Sequence, residues 1–292
     1  MADSGWRIVL VTTVPFVAQA LAATVRELGH QPVALIGARR DKPMPDRPSM
    51  TDESAPASLD LLLPASRYAI EPLLRAYAPD LLLCWGFPWK IPLAALQVPR
   101  LGSVNCHPAM LPRHRGPIPI AWALREGDGQ YGVTWHRMDA ELDTGAILAQ
   151  APVPMEDDDF DIMAVGPRLG AVAIGLLPRA LERIAAGDPG DRQPDEGATW
   201  AGHFADDYAT VDWAQPARKI HDQVRAWAFT FGPAPVTGPL AALEGERVRL
   251  TRTSLVDPGG DARRVETGDG PIWVVSAEPL DPVDGGGPAA GA

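Results

Sequence analysis

Residues 103–150 read SVNCHPAMLPRHRGPIPIAWALREGDGQYGVTWHRMDAELDTGAILAQ. The stretch opens with a short apolar strand at residues 103–105 and continues with a helical pattern at residues 118–125. Residues 131–138 alternate in the manner of a strand, and a further strand starts at residues 146–149. Strands and a helix that follow one another within fewer than fifty residues predict part of an α/β domain, in which helices pack on a β-sheet.

The same alternation extends towards the N-terminus. Residues 7–13 and 80–85 are apolar, β-branched or Leu-rich runs that predict buried strands, and residues 32–36 predict a third. Helical patterns occupy residues 16–28 and 70–77 between them. Strands that alternate with helices in this way predict a doubly wound, mostly parallel sheet.

Towards the C-terminus the pattern changes. A long helical segment is followed by a charged Pro- and Gly-rich stretch, after which short strand-like runs dominate. We therefore predict a first domain over residues 1–187, a linker over residues 188–198 and a small β-rich domain over residues 199–277. Residues 278–292 have a low-complexity composition that predicts a disordered tail.

The composition excludes several classes of protein. With 292 residues, 46% of them hydrophobic, the chain has enough apolar sequence for a core. Two cysteines are too few for a disulfide scaffold or a four-cysteine zinc site. A net charge of −11 disfavours a protein that wraps nucleic acid. Pro or charged residues interrupt every apolar run before roughly 20 residues, which predicts no membrane partner. The first apolar run lacks a positive leader, so we expect a cytoplasmic protein.

Three polar residues of the central stretch carry possible chemistry. Asn105 and His107 are two positions apart at the end of a strand, so their side chains point to the same side. Asn offers an uncharged donor for an oxyanion, and His exchanges protons near neutral pH. Asp143 follows in a turn, where it can orient the imidazole. Cys106 points to the opposite side, which argues against covalent catalysis. Taken singly, each of these residues is more often structural.

Their spacing is more specific than the residues themselves. Fixed motifs occur as N-x-H-P at residues 105–108, L-P-x-x-R-G at residues 111–116, G-V-T at residues 132–134 and D-x-G at residues 143–145. This pattern resembles the formyltransferases that use N10-formyltetrahydrofolate, and in particular their methionyl-tRNA and amino-sugar branch. The resemblance implies a Rossmann-like catalytic domain followed by a small OB-like domain.

The resemblance also implies a role for each polar residue. Asn105 would hold the formyl oxygen as it becomes an oxyanion, and His107 would take part in proton transfer. Asp143 would orient and tune His107. N10-formyltetrahydrofolate would be the co-substrate, and no metal would be required because this donor is already activated.

Two segments match the places where the family binds folate, residues 85–92 and the loop at residues 138–143. The side chains expected to surround the pterin are Phe87, Trp89, Lys90, Ile91, Met138, Asp139 and Leu142. Aromatic residues beside the end of a strand equally often pack in the core or at its rim.

The charge distribution bears on the acceptor. Residues 189–292 hold nine Lys and Arg against sixteen Asp and Glu, a poor match for a polyanion. We therefore expect a small-molecule amine or hydroxylamine acceptor, such as an amino sugar or a natural-product intermediate. A methionyl-tRNA acceptor is the alternative. Hydrolysis of formyltetrahydrofolate and folate binding without turnover are alternatives of other classes, although an intact Asn–His–Asp set argues against the last. The oligomeric state stays open.

Overall fold

The computed structural model of the chain describes residues 5–38, 50–51, 53–230 and 238–280. The chain forms two compact units that interleave along the sequence. The first unit contains Met1–Gly116, Gln130–Pro154 and Gly166–Trp200. The second unit contains Pro117–Gly129, Met155–Val165 and Ala201–Ala292.

The first unit is built on a seven-stranded sheet with the order β3-β2-β1-β4-β5-β6-β7. Its strands are β1 Arg7–Val11, β2 Gln31–Ile36, β3 Asp60–Leu62, β4 Leu81–Trp85, β5 Ser103–His107, β6 Gln130–Arg137 and β7 Ile147–Pro154. The first five strands in this order pair in parallel, whereas β5–β6 and β6–β7 pair antiparallel. The prediction of a mostly parallel sheet is confirmed. The short turn between β6 and β7 permits only antiparallel pairing, since a parallel pair needs a long crossover.

The helices are α1 Pro15–Glu27, α2 Ile70–Tyr77, α3 Leu93–Leu96, α4 Pro119–Arg125, α5 Ile162–Ala185 and α6 Ala217–Ala228. Proline at the first position starts α1, where its missing N–H has no cost. In the first unit, buried aliphatic residues such as Val9, Ile36 and Leu82 form a core together with residues of α2 and α3.

The second unit contains a separate antiparallel sheet with the order β10-β11-β9-β8. Its strands are β8 Leu240–Leu243, β9 Glu246–Ser254, β10 Arg263–Glu266 and β11 Pro271–Pro279. Ile220 and Val224 of α6 pack with Leu250 and Ile272 of the sheet. The predicted β-rich C-terminal architecture is confirmed.

The structure differs from the sequence-based predictions at several short elements and segment boundaries. Helix α3 and strands β3, β8 and β10 were not predicted, because three or four residues are too few to show a period. The segment predicted as a linker up to residue 198 groups with the first unit, and Glu278 and Pro279 lie in β11. Residues 281–292 of the predicted tail lie outside the described residues. The domain boundaries stay a prediction.

Helix α5 is, within the described part of the chain, the single helix long and apolar enough to cross a bilayer by length and composition. Core helices of water-soluble domains pass the same test. In the first unit Leu169, Ala173 and Leu177 of α5 are buried, and the indole N–H of Trp135 donates to the carbonyl oxygen of Ala173 over 2.8 Å. These contacts make α5 a packed helix of that unit.

Candidate active site

Strand β5 carries the first two predicted catalytic residues at its carboxyl end. Asn105 pairs with His136 across the antiparallel β5–β6 ladder, and His107 pairs with Thr134. Strand β4 runs parallel on the other side of β5. The carboxyl ends of parallel strands are where open α/β sheets place their ligand sites, so the position agrees with the expectation from the sequence.

The Asp143 carboxylate joins these side chains into one cluster. Its Oδ1 atom lies 3.4 Å from Nδ2 of Asn105 and 3.4 Å from Nε2 of His136. Its Oδ2 atom accepts the backbone N–H of Gly116 at 2.9 Å and lies 3.5 Å from Nδ1 of His107. The structure thus brings together all three residues predicted to be catalytic and adds His136, which the sequence analysis did not single out.

The environment keeps Asp143 ionised. Burial by itself would raise the pKa of the Asp143 carboxyl. The neighbouring His107 and His136 rings and the Gly116 N–H stabilise the carboxylate and outweigh burial, so the pKa lies well below its ordinary value. A fixed negative charge therefore stands beside both imidazoles.

The His107 ring is held by a second partner, in the loop that follows β5. Its Nε2 lies 2.8 Å from the carbonyl oxygen of His114, whose backbone adopts a left-handed φ of 58°. A carbonyl accepts only, so Nε2 carries the proton and the neutral ring leaves Nδ1 bare. Burial lowers the pKa of His107 below 6.5, although Asp143 opposes this shift. At neutral pH His107 is therefore an uncharged base.

Close backbone approach explains the G-V-T and D-x-G motifs. A Cβ at Gly132 would lie 2.5 Å from the backbone nitrogen of Met110, and one at Gly145 would lie 1.8 Å from the carbonyl oxygen of Arg137. Thr134 Oγ1 donates to the carbonyl oxygen of Ala109 at 2.7 Å. These residues fix the loops that follow β5 and β6, and thereby the positions of His107 and Asp143.

Gln193 holds the Asp143 loop from outside the motif. Its Nε2 donates to the carbonyl oxygens of Asp143 at 2.8 Å and Gly145 at 2.7 Å. Its Oε1 accepts from Nε and Nη2 of Arg115 at 3.0 and 2.8 Å. Gln193 lies in the charged segment that we predicted to be a linker, and no local pattern singles it out.

A sequence signal for His136 did exist. The alternation of β6 places its side chain two positions from that of Thr134 and on the same side. Only the antiparallel register with β5, however, shows that this side chain lies opposite Asn105.

The residues predicted to bind folate separate into two groups. Ile91 is buried in the core of the first unit, and Phe87, Trp89 and Met138 pack partly buried against that core. The rings of Phe87 and Trp89 meet edge to face with their centroids 5.4 Å apart. For these four residues the packing role is the one that the contacts show.

The remaining three lie around the 139–144 loop. Lys90 and Leu142 line a cavity of about 440 Å³ in the first unit. The cavity is completed by Arg115, Glu141, Thr144, Ala198, Thr199 and Trp200. Asp139 instead caps the loop, because its Oδ1 accepts from Glu141 N at 3.1 Å and Thr144 Oγ1 at 2.7 Å. Trp200, 53% exposed, was not predicted from the sequence.

Comparison with known proteins agrees with this geometry. Residues 8–181 match the family model described as formyl transferase. A methionyl-tRNA formyltransferase from Pseudomonas fluorescens is 32% identical over 261 residues, which are 89% of this chain and 74% of that protein. One from Pelobacter propionicus is 34% identical over 189 residues, 64% of this chain, but the match spans only 57% of that relative's length.

A solved structure shows the same fold over nearly the whole chain. The N-formyltransferase from Helicobacter canadensis, in complex with folinic acid and dTDP-3-aminofucose, superposes with a TM-score of 0.66 at 16% identity, covering 92% of this chain and 98% of that one. The family match covers more than half of the chain, and the Pseudomonas relative exceeds 30% identity over most of its length. The chain therefore belongs to the formyl transferase family and is a formyltransferase enzyme.

Proposed function

We propose that this enzyme transfers the formyl group of N10-formyltetrahydrofolate to the amine or hydroxylamine of a small-molecule acceptor. The observation that carries the proposal is the Asp143 carboxylate, which lies within 3.5 Å of both Asn105 Nδ2 and His107 Nδ1. One charge thereby positions an oxyanion donor and a base beside each other. Formyl transfer to an amine requires both groups.

The chemistry follows from the state of each side chain. The acceptor nitrogen attacks the formyl carbon, and Asn105 donates a hydrogen bond to the oxygen of the tetrahedral intermediate. His107 takes the proton of the attacking amine on Nδ1, while Nε2 stays bound to the His114 carbonyl. Asp143 stabilises the imidazolium. The proton then passes to N10 of the departing tetrahydrofolate as the N10–C bond breaks, which restores the neutral ring.

The folate site is proposed between the loops that flank this cluster. Lys90 and Leu142, from the two segments predicted to bind folate, line the same cavity. Lys90 Nζ lies 3.3 Å from Glu141 Oε2 on the rim, and both side chains are well exposed. Phe87 and Trp89 support the first of these loops from the core side.

The acceptor is proposed from the distribution of charge. The second unit contains nine Lys and Arg residues and twenty Asp and Glu residues, whereas the first unit contains seventeen basic and seventeen acidic residues. The second unit therefore holds the entire net charge of −11. Such a surface repels a polyanion and suits a small neutral or cationic amine. The complex of the Helicobacter canadensis protein, which holds an amino-sugar nucleotide, supports an acceptor of this size.

A tRNA acceptor is the second candidate, because the two curated relatives named above are methionyl-tRNA formyltransferases. In the second unit five arginines lie on β9 and β10, namely Arg247, Arg249, Arg252, Arg263 and Arg264. Three of them pair with acids: Arg249 with Glu278, Arg263 with Glu244, and Arg264 with Glu266. Much of this local positive charge is therefore neutralised, which weakens the tRNA candidate.

A formyl-transfer screen tests the proposal. The protein is incubated with N10-formyltetrahydrofolate alone, with a panel of amines, hydroxylamines and amino-sugar nucleotides, and with charged initiator tRNA. We expect tetrahydrofolate release that depends on a small amine, with the formylated amine identified by mass. Formylation of the tRNA in preference to every small amine would replace the acceptor. Rapid release without any acceptor would instead show a hydrolase.

A further inference from the structure

His136 lies directly opposite Asn105 on the neighbouring strand and is 2% exposed. Its Nε2 is 3.3 Å from Asn105 Nδ2, and its Nδ1 is 2.8 Å from the carbonyl oxygen of Arg137. The same Nε2 is 3.4 Å from Asp143 Oδ1. Every polar atom of this buried ring thus faces a named partner, and two of these partners belong to the reaction proposed above.

The Arg137 carbonyl decides which ring nitrogen carries the proton. Because a carbonyl only accepts, Nδ1 of His136 must donate to it. With its single proton on Nδ1, the ring presents a lone pair at Nε2. That lone pair accepts a hydrogen bond, so the group of Asn105 facing it must be the amide NH₂ and not the carbonyl oxygen. A flipped amide would set its oxygen against both the Nε2 lone pair and the Asp143 carboxylate.

We propose that His136 is a positioning residue that fixes the orientation of the Asn105 amide for the reaction. The inference rests on the proposed formyl transfer. One N–H of Asn105 is anchored on His136. The other N–H faces Asp143 only over a long 3.4 Å contact, so the developing oxyanion can share it while the amide plane stays where His136 holds it. His136 itself touches no reacting atom; it acts through Asn105.

A purely packing role of His136 predicts a different tolerance to substitution at this position. If the ring only filled space, an apolar side chain of similar volume would serve, because the strand pairing is made by the backbone. If the ring orients Asn105, an acceptor must remain near the Nε2 position. The terminal amide of Gln reaches that position, whereas Leu offers no acceptor.

Two variants and a control separate these roles. With the acceptor found in the screen, His136→Leu should lower kcat roughly 10- to 100-fold with little change in the KM for N10-formyltetrahydrofolate. His136→Gln should recover most of that loss. The control is His30→Leu, at a histidine far from the site along the chain whose Nδ1 accepts the backbone N–H of Trp6 at 3.1 Å. This variant should leave kcat unchanged. A His136→Leu enzyme that keeps kcat within twofold overturns the proposal, as does a loss in His136→Leu that His136→Gln does not recover.

A measurement independent of turnover distinguishes a failure of this inference from a failure of the proposed function. Long-range ¹H–¹⁵N correlation spectra of the wild-type protein report the tautomer of each histidine. We expect Nδ1 of His136 to carry the proton that binds the Arg137 carbonyl and Nε2 to carry none, with the signal assigned by its disappearance in His136→Gln. A proton on Nε2 would overturn the orientation argument even if the enzyme transfers formyl groups. If no formyl transfer occurs but the Nδ1–H tautomer is found, the positioning of Asn105 stands and the reaction assignment fails.

Discussion

The side-chain amide of Gln193 donates a hydrogen bond to the main-chain carbonyl oxygen of Asp143 over 2.8 Å, although 50 residues separate the two. A second hydrogen bond reaches Gly145, and Arg115 binds the amide oxygen. Asp143 adopts a left-handed φ of 58°, a conformation that needs support from its surroundings. Gln193 supplies that support, so a segment outside the motif holds the loop that carries the Asp143 carboxylate.

We expect Gln193→Ala to lower both activity and stability. The change leaves the buried Gly145 carbonyl, the partly buried Asp143 carbonyl and the Arg115 guanidinium without this partner, at a cost of about 1–3 kcal/mol. It also frees the Asp143 backbone, so kcat should fall. Thermal melting and steady-state kinetics measure the two effects. Gln19→Ala is the control, because its amide binds Ser54 at an exposed position. A Gln193→Ala enzyme with the melting temperature and kcat of the wild type would contradict this role.

Asp143→Asn should retain the fold and lose activity. Asparagine tolerates the left-handed conformation that this position requires, so we expect the backbone conformation to stay unchanged. The substitution removes the charge that stabilises the His107 imidazolium, and we expect kcat to fall by roughly 10²-fold or more. Asp80→Asn, in a carboxylate paired with Arg100 at the start of β4, is the matched control. Equal losses in the two variants would show that the effect is not specific to the site.

If His107 is the base, as proposed, the pH dependence of kcat/KM should report its titration. Burial lowers the pKa of His107 below its ordinary value of 6.5. The base works when it is unprotonated, so activity should be full at neutral pH and fall only as the pH drops through this lowered pKa. The acidic limb of the profile should therefore lie below pH 6.5. An acidic limb above pH 6.5 would exclude a lowered pKa at the essential base.

The Asp143→Asn variant extends the same experiment. The Asp143 charge raises the pKa of His107 and so partly offsets the effect of burial. Removing it should shift the remaining acidic limb to a still lower pH. A limb that stays in place would show that Asp143 does not act on the group that titrates.

His221 of the second unit should make stability depend on pH. Its Nδ1 lies 2.9 Å from Thr253 Oγ1 and its Nε2 2.9 Å from the Asp157 carbonyl oxygen. Burial lowers the pKa of His221 to about 4. Between pH 6.5 and about 4 the unfolded chain binds a proton that the folded unit does not, so the free energy of unfolding falls as the pH drops. Over this pH range the free energy of unfolding should fall by about 3 kcal/mol.

Urea unfolding at several pH values measures this slope. His221→Gln retains polar contacts but does not titrate, so the decline between pH 6.5 and 4 should be smaller in the variant. Identical pH slopes in the wild type and the variant would assign the acid sensitivity to other groups.

The sequence by itself determined most of the architecture and the centre of the site. Apolar β-branched runs separated by helical periods require buried parallel strands, and these strands form the sheet that was predicted. The family resemblance carried by the N-x-H and D-x-G spacings predicted Asn105, His107 and Asp143 as catalytic residues, and the structure brings these three side chains together. Their catalytic roles stay a prediction. The glycines of these motifs were part of that spacing, but the close backbone approach that leaves no room for a Cβ is visible only in the structure.

Only the tertiary structure decided which further residues reach that centre. His136 joins it through the antiparallel register with β5, and Gln193 through a loop that is 50 residues away in sequence. The packing of the aromatic residues expected in the folate site, which lie partly buried against the core, was also decided there, because side chains at the end of a strand can turn to either surface. Strand register and long-range hydrogen bonds form only once the strands have paired, so no local sequence pattern predicts them.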